Sequence, residues 1–272
     1  MMKRPYADWL PYFLDISAKV RLLAFEPFET HIKKDGSPVT SVDFAAQELL
    51  LSLFHRLTPT VPVVSEEKRV PDWKERKTWS TCWITDPIDG TRELVNGNDE
   101  FAICAALIQK GRPVFSAILM PAKQESFFAV AGQGAYFVAD TAKPVRISPP
   151  QWQTQDPIYV LKSRSHHTAH MSRFLKDLIQ RLPQVKPVVV GSAYKFCLLA
   201  RGDVSLYRRV QAINEWDVAA GDLIVWESGG QMRLPDGGLP QYNTQAVAVP
   251  GFWAVSSPAL AEYLIAQGIW KQ

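Results

Sequence analysis

The chain has 272 residues, 47% of them hydrophobic and 21% charged, with a formal net charge of +3. That balance suits a globular chain of one large domain or two lobes with a substantial core. The slight positive excess, with no Lys/Arg-rich run, excludes the basic footprint of a nucleic-acid binder, and no apolar run reaches the ~20 residues of a membrane-spanning helix.

In chain order, the stretch MMKRPYADWLPYFLDISAKV is broken by charges and two prolines, so no secretory signal is expected. Apolar spacing predicts amphipathic helices over 9–26 and 41–57. A short strand is expected over 61–65, ending at Glu66 and Glu67, and then a polar, tryptophan-bearing loop over 68–80. A strand over 82–85 follows. Apolar runs at 101–109, 114–120, 126–131 and 135–138, separated by turn-forming residues, read as an antiparallel meander. Composition shifts toward Pro, Gln and Thr over 139–157, which places a lobe boundary there. Residues 1–147 are expected to form an α+β lobe and residues 148–272 an α/β lobe. In the second lobe, strands at 158–161, 188–190 and 204–207 alternate with helices at 168–182, 193–201 and 217–228. The last two helices stop at Gly202 and at Gly229-Gly230. Strands near 246–249 and 253–256 and a helix over 258–267 close the chain. Cys82, Cys104 and Cys197 lie far apart in apolar surroundings with no C-x-x-C spacing, so free buried thiols in a reducing compartment are expected. The expectation is a cytoplasmic protein, with room for peripheral association with the inner membrane.

Chemistry concentrates in CWITDPIDGTREL, residues 82–94. Asp86 and Asp89 follow an apolar run, and Gly90 and Thr91 can open a helix whose free N–H groups suit an anion. Two carboxylates beside a phosphate repel it unless a hard divalent cation sits between them, which is the manner of Mg²⁺. An ordinary Asp-Gly turn accounts for the same residues. Glu66 and Glu67 read as solvated side chains unless their strand end lies beside Asp86. Asp217 reads as a helix N-cap. Asp43 reads as the last member of a T-x-x-D capping box with Thr40. Lys195 in a first helical turn opposes the helix dipole unless an anion is near, or it snorkels to solvent.

Three motifs stand in order along the chain: SEE at 65–67, DPIDGT at 86–91 and EWDVAAGD at 215–222. With them the sequence resembles the inositol monophosphatase superfamily. Through DGSPVTSVDFAAQ, SRSH and GSAYKFCLLARG it is similar to that superfamily's bisphosphate-nucleotide branch. Arg92 and Leu94 stand where the family often has Lys and Phe. The resemblance implies a layered α-β-α-β-α sandwich with the site between two lobes. It implies two or three Mg²⁺ ions on Glu66, Asp86, Asp89, Asp217 and the Ile88 carbonyl, with Glu66 serving catalysis too. Asp43 and Thr91 are implied to be a hydrogen-bonded pair acting on the attacking water. Substrate is implied to meet Asp86, Ile88, Asp89, Gly90, Thr91 and Asp217, and the nucleotide to meet Ser163, His166, Gly191, Ser192 and Lys195. The implied reaction removes the 3′-phosphate of adenosine 3′,5′-bisphosphate, and acts on its sulfated form, with sensitivity to Li⁺ and a place in sulfur metabolism. An inositol or sugar monophosphatase and a catalytically silent nucleotide-binding protein are the alternatives. The expected assembly is a monomer or weak homodimer with no nucleic-acid partner.

Overall fold

The computed structural model describes residues 6–140, 142–164 and 169–270. The first half begins with α1 (Leu10–Phe25), the hairpin β1 (Thr30–Ile32) and β2 (Pro38–Thr40), and α2 (Ser41–Leu57). Then come β3 (Val63–Ser65), the one-turn helix α3 (Trp73–Arg76), β4 (Thr81–Asp89) and α4 (Thr91–Val95). A meander follows: β5 (Ala102–Gln109), β6 (Arg112–Met120), β7 (Glu125–Val130), β8 (Gly134–Ala139) and β9 (Val145–Ile147). The second half runs β10 (Ile158–Ser163), α5 (Ala169–Arg181), β11 (Val185–Val190), α6 (Tyr194–Arg201), β12 (Leu206–Arg209) and β13 (Ile213–Asn214). It ends with α7 (Ala219–Ser228), β14 (Gln231–Arg233), β15 (Ala248–Val249), β16 (Phe252–Val255) and α8 (Pro258–Ala266).

Strands β3 to β9 form a seven-stranded sheet in sequence order, and a five-stranded sheet has the order β11-β10-β12-β16-β14. Strand β5 shows why the layers stack. Its residues Ile103, Ala105 and Leu107 enter one core with Phe13, Leu50 and Trp83 of α1, α2 and β4. The alternate residues Ala102, Cys104, Ala106 and Ile108 enter another core with α6 and α7. Both faces are buried, so the sequence reads as a continuous apolar run rather than an alternating one. Helix α7 is buried almost all round, as a helix between two sheets must be. The second sheet's outer face packs Val160, Leu206 and Trp253 against Leu175 and Leu178 of α5 and Leu260 and Leu264 of α8. The layers are therefore α1/α2, seven strands, α6/α7, five strands, and α5/α8. Among the described residues no helix is long and apolar enough to cross a membrane.

The expected helices and the meander are present within a residue or two at most ends. The strand expected over 82–85 is longer and runs to Asp89, because its polar half still pairs with β5. Asp86 pairs with Cys104 and Asp89 with Ala102, so β4 carries one extra residue there. Pro87 sits in that bulge, where a missing N–H costs no ladder bond. Strands β1, β2, β9, β13 and β14, of two or three residues each, were not expected. All three residues of β1 are exposed, so no alternation marks it.

Candidate active site

The bulge in β4 decides the site. Along a regular strand, residues three apart face opposite sides. The extra residue between Asp86 and Asp89 reverses the alternation once, so both carboxylates turn toward the same side of the sheet. Strand β3 pairs parallel to β4 with Ser65 opposite Thr85, and the Glu66 N–H bonds the Thr85 carbonyl at 3.3 Å. Glu66 is thereby set beside Asp86. Asp217 arrives from a 3-10 turn, Glu215–Asp217. That turn is pinned by Glu215, fully buried, whose carboxylate accepts the Asn243 N–H at 2.6 Å and the Thr244 N–H at 2.8 Å. Asp217 does not cap α7, which has Val218 at its N-cap and no side-chain cap bond. Glu66, Asp86 and Asp217 each offer an oxygen, and these oxygens lie within 4.8 Å of one another.

The electrostatics match that crowding. Burial first, then the charges of Glu66, Asp89 and Asp217, push the Asp86 carboxyl well above its ordinary range. Burial and the charges of Asp89 and Glu66 do the same to Asp217. Asp89 lies outside the trio. Burial raises it to about 6, against the pull of the Lys195 ammonium. Converging hard oxygen donors that resist ionising together are a donor set suited to Mg²⁺, and Ile88 lines the same cleft. The residues present therefore fit the ion.

Asp43 stands one hydrogen bond behind the cleft, 1% exposed. Its Oδ2 accepts the Thr40 N–H at 2.8 Å and the Thr40 hydroxyl at 2.5 Å, and Thr40 Oγ1 accepts in return from Val42 and Asp43. This is the capping box. The other oxygen, Oδ1, accepts the Thr91 hydroxyl at 2.8 Å. Burial raises the Asp43 carboxyl, against the bonds from Thr40 and Thr91. The same residue is thus a cap and a partner of the cleft.

A cleft of about 440 Å³ collects these groups. Glu66, Asp86, Asp89, Gly90, Thr91 and Asp217 line it, together with Ser163, Ser192 and Lys195. Lys195 is 7% exposed and lies 5.7 Å from the Tyr207 ring centroid, so it does not snorkel to solvent. Burial lowers its pKa, opposed by Asp89 and Glu93. The Gly191 N–H is engaged by Glu100 at 2.6 Å. His166 lies outside the described residues.

Two further cations reach the site without having been read from the sequence. Lys33, at the end of β1, bonds Glu66 at 2.8 Å and Glu67 at 2.5 Å. Arg209 ends β12, lines the cleft, and buries an Nε that has no hydrogen-bond partner among the described residues. The signal for Arg209 was the pair of arginines closing an apolar strand, LYRR. Lys33 had no local signal.

The inositol monophosphatase family model matches residues 14–268. The chain belongs to the inositol monophosphatase family. Within the family it is 33% identical over 228 residues to the 3′(2′),5′-bisphosphate nucleotidase CysQ of Salmonella typhimurium, covering 84% of this chain and 89% of that one. The solved CysQ of Bacteroides thetaiotaomicron is 30% identical and superposes with a TM-score of 0.77 over 89% of this chain and 93% of that one. An IMPase/NADP phosphatase solved with Mg²⁺ and phosphate is 20% identical, with a TM-score of 0.75 over 96% of this chain and 92% of that one, a likeness of fold.

Proposed function

We propose that this chain is an Mg²⁺-dependent phosphatase that converts adenosine 3′,5′-bisphosphate to AMP and phosphate, and that also accepts the sulfated nucleotide. The observation that carries the reading is one cleft that gathers an acidic trio and two cations. Glu66, Asp86 and Asp217 converge there, and Lys195 and Arg209 line the same 440 Å³. A substrate with two phosphates brings one anion for a metal held by the acids and another for the cations, whereas an inositol or sugar monophosphate brings only one. The printed names of the CysQ relatives support the same substrate class.

In this reading Glu66, Asp86, Asp89, Asp217 and the Ile88 carbonyl hold Mg²⁺, which supplies charge neutralisation for phosphate and acidity for water. The chain's own groups do the rest. The Thr91 hydroxyl carries one proton and reaches both the Asp43 carboxylate, at 2.8 Å, and the Ile88 carbonyl, at 3.2 Å. The charged acceptor takes that proton by preference. A lone pair of Thr91 is then free to accept from water in the cleft. As the water oxygen attacks phosphorus, its proton passes to Thr91 and the Thr91 proton passes to Asp43 Oδ1. The P–O3′ bond breaks and its electron pair leaves with the ribose oxygen, which takes a proton from solvent. Burial of Asp43 raises its proton affinity and makes it the better acceptor. The N–H groups of Gly90 and Thr91 orient the phosphate, while Ser163, Ser192 and Lys195, with Arg209, meet the nucleotide. Phosphoryl transfer asks for positioning and charge placement more than covalent work, which is what this cleft provides.

A comparison of released phosphate tests the substrate. The bisphosphate nucleotide turns over faster than inositol monophosphate at matched Mg²⁺; the reverse order refutes the assignment. Absence of turnover on both supports the silent nucleotide-binding reading instead.

A further inference from the structure

Glu100 lies in the link between α4 and β5. Its carboxylate takes two partner residues from the second half of the chain. Oε2 accepts the Gly191 N–H at 2.6 Å, and the Arg164 guanidinium grips both oxygens, with Nη2 at 3.0 Å from Oε1 and Nε at 3.1 Å from Oε2. Its main chain touches the first half. A Cβ added to Gly90 would fall 3.2 Å from the Glu100 carbonyl and 3.0 Å from Ser192 Cβ. The packing on the other side is equally close, since a Cβ at Gly191 would fall 2.8 Å from Glu93 Cγ. Ser192, next in the chain, holds φ at 43°, a conformation a serine adopts only when its surroundings impose it.

We propose that Glu100 is a positioning residue for the nucleoside end of the substrate, a proposal that rests on the nucleotidase reading above. Its two partners flank residues that line the cleft. Arg164 follows Ser163, and Gly191 precedes Ser192, and both serines line the cleft. Ser163 also pairs with Val190 across β10 and β11, so one carboxylate locks two neighbouring strand ends. A fork-to-fork pair between Arg and carboxylate fixes direction as well as distance. The Arg164 side chain is 43% exposed, so the pair adds little to global stability. What it sets is the placement of Ser163 and Ser192 relative to Gly90 and Thr91. Burial works to raise the Glu100 carboxyl, but Arg164 and the Gly191 N–H outweigh it and hold the group below its ordinary range, so it stays charged near neutral pH.

The test compares the parent enzyme with Glu100→Ala and Glu100→Gln on two substrates, adenosine 3′,5′-bisphosphate and p-nitrophenyl phosphate, which lacks a nucleoside. Glu100→Ala is expected to raise KM for the nucleotide roughly tenfold, with kcat and the small ester's kcat/KM changed less than about threefold. Glu100→Gln keeps an acceptor for Gly191 but not the charge facing Arg164, so its KM falls between those of the parent and Glu100→Ala. A proportional loss on both substrates means a merely structural role and overturns the proposal, as does an unchanged nucleotide KM. A parent that hydrolyses the small ester but not the nucleotide sinks the nucleotidase reading and this inference together. A parent active on both, with equal losses in the variants, sinks this inference alone.

Discussion

Asp43 helps cap α2 and, in the proposed reaction, takes a proton through Thr91; one pair of substitutions separates the two. Three donors converge on its two oxygens: the Thr40 N–H and hydroxyl on Oδ2, and the Thr91 hydroxyl on Oδ1. Asn in its place offers one oxygen and one NH₂; with the oxygen kept toward the Thr40 donors, the NH₂ faces Thr91, whose hydroxyl must turn to donate to the Ile88 carbonyl at 3.2 Å and accept from the amide. At 1% exposure water cannot easily compensate, and exchanging a charged acceptor of several bonds for a neutral one costs ~1–3 kcal/mol. That corresponds to a fall in Tm of about 2–4 °C for each kcal/mol. Thr40→Ala removes the cap hydroxyl but leaves the Thr91–Asp43 bond, and should cost a comparable ~0.5–2 kcal/mol. The two variants thus match in stability and differ in chemistry. Asp43→Asn also removes the proposed proton acceptor, which should lower kcat by about 100- to 10,000-fold, while Thr40→Ala should stay within about tenfold of the parent. The assay is phosphate release at saturating nucleotide, run about 10 °C below the lower Tm. Equal kcat in the two variants would refute the relay through Thr91 and reduce Asp43 to a cap.

Asp89→Asn should abolish detectable turnover at any Mg²⁺ concentration; activity restored by excess Mg²⁺ would show that Asp89 tunes affinity and is not required for the reaction. Trp83 is fully buried, stacks on Phe54 with centroids 4.2 Å apart, and donates its Nε1–H to Thr58 at 2.8 Å. Trp83→Ala should cost ~3–5 kcal/mol in urea unfolding, and a loss below about 1 kcal/mol would contradict the packing described for that core. Asp222 is fully buried and bonds Arg112 at 2.8 Å and Tyr242 at 3.0 Å. Burial raises its carboxyl above the ordinary range, against Arg112. The folded protein therefore keeps a proton that the unfolded chain releases, so stability from this group is present at acidic pH and is lost as pH rises through the folded value. Relative to Asp222→Asn, the parent should be at its best at acidic pH and lose ground as pH rises; unfolding curves with the opposite trend would reverse the assigned direction.

Much of the fold was readable because its signals are local. Apolar spacing marked α1 and α2, glycine stops marked α6 and α7, and turn residues divided the meander. What escaped was set by contacts between distant residues. Nothing within 82–85 tells that pairing continues through Pro87 to Asp89; that depends on β5 accepting a bulge. The three exposed residues of β1 form a strand only because β2 pairs with them. At the site, Asp86, Asp89 and Thr91 announce themselves by spacing. Asp217 alone looks like a helix cap, and only the pinned turn at Glu215 brings it within 4.8 Å of Glu66 and Asp86. Lys33 on Glu66 and Glu100 under Gly191 are partnerships across long stretches of chain, and no local pattern encodes them.

In the proposed reaction the 3′-phosphate of a bisphosphate nucleotide leaves in an Mg²⁺-dependent step. Phosphorus NMR of adenosine 3′,5′-bisphosphate with the purified protein follows both phosphates at once, with Mg²⁺ and then with a chelator in its place. The 3′ resonance should disappear as inorganic phosphate grows, the 5′ resonance should persist as AMP, and the chelator should stop the reaction. Loss of the 5′ resonance first, or equal turnover in chelator, would contradict the proposed reaction.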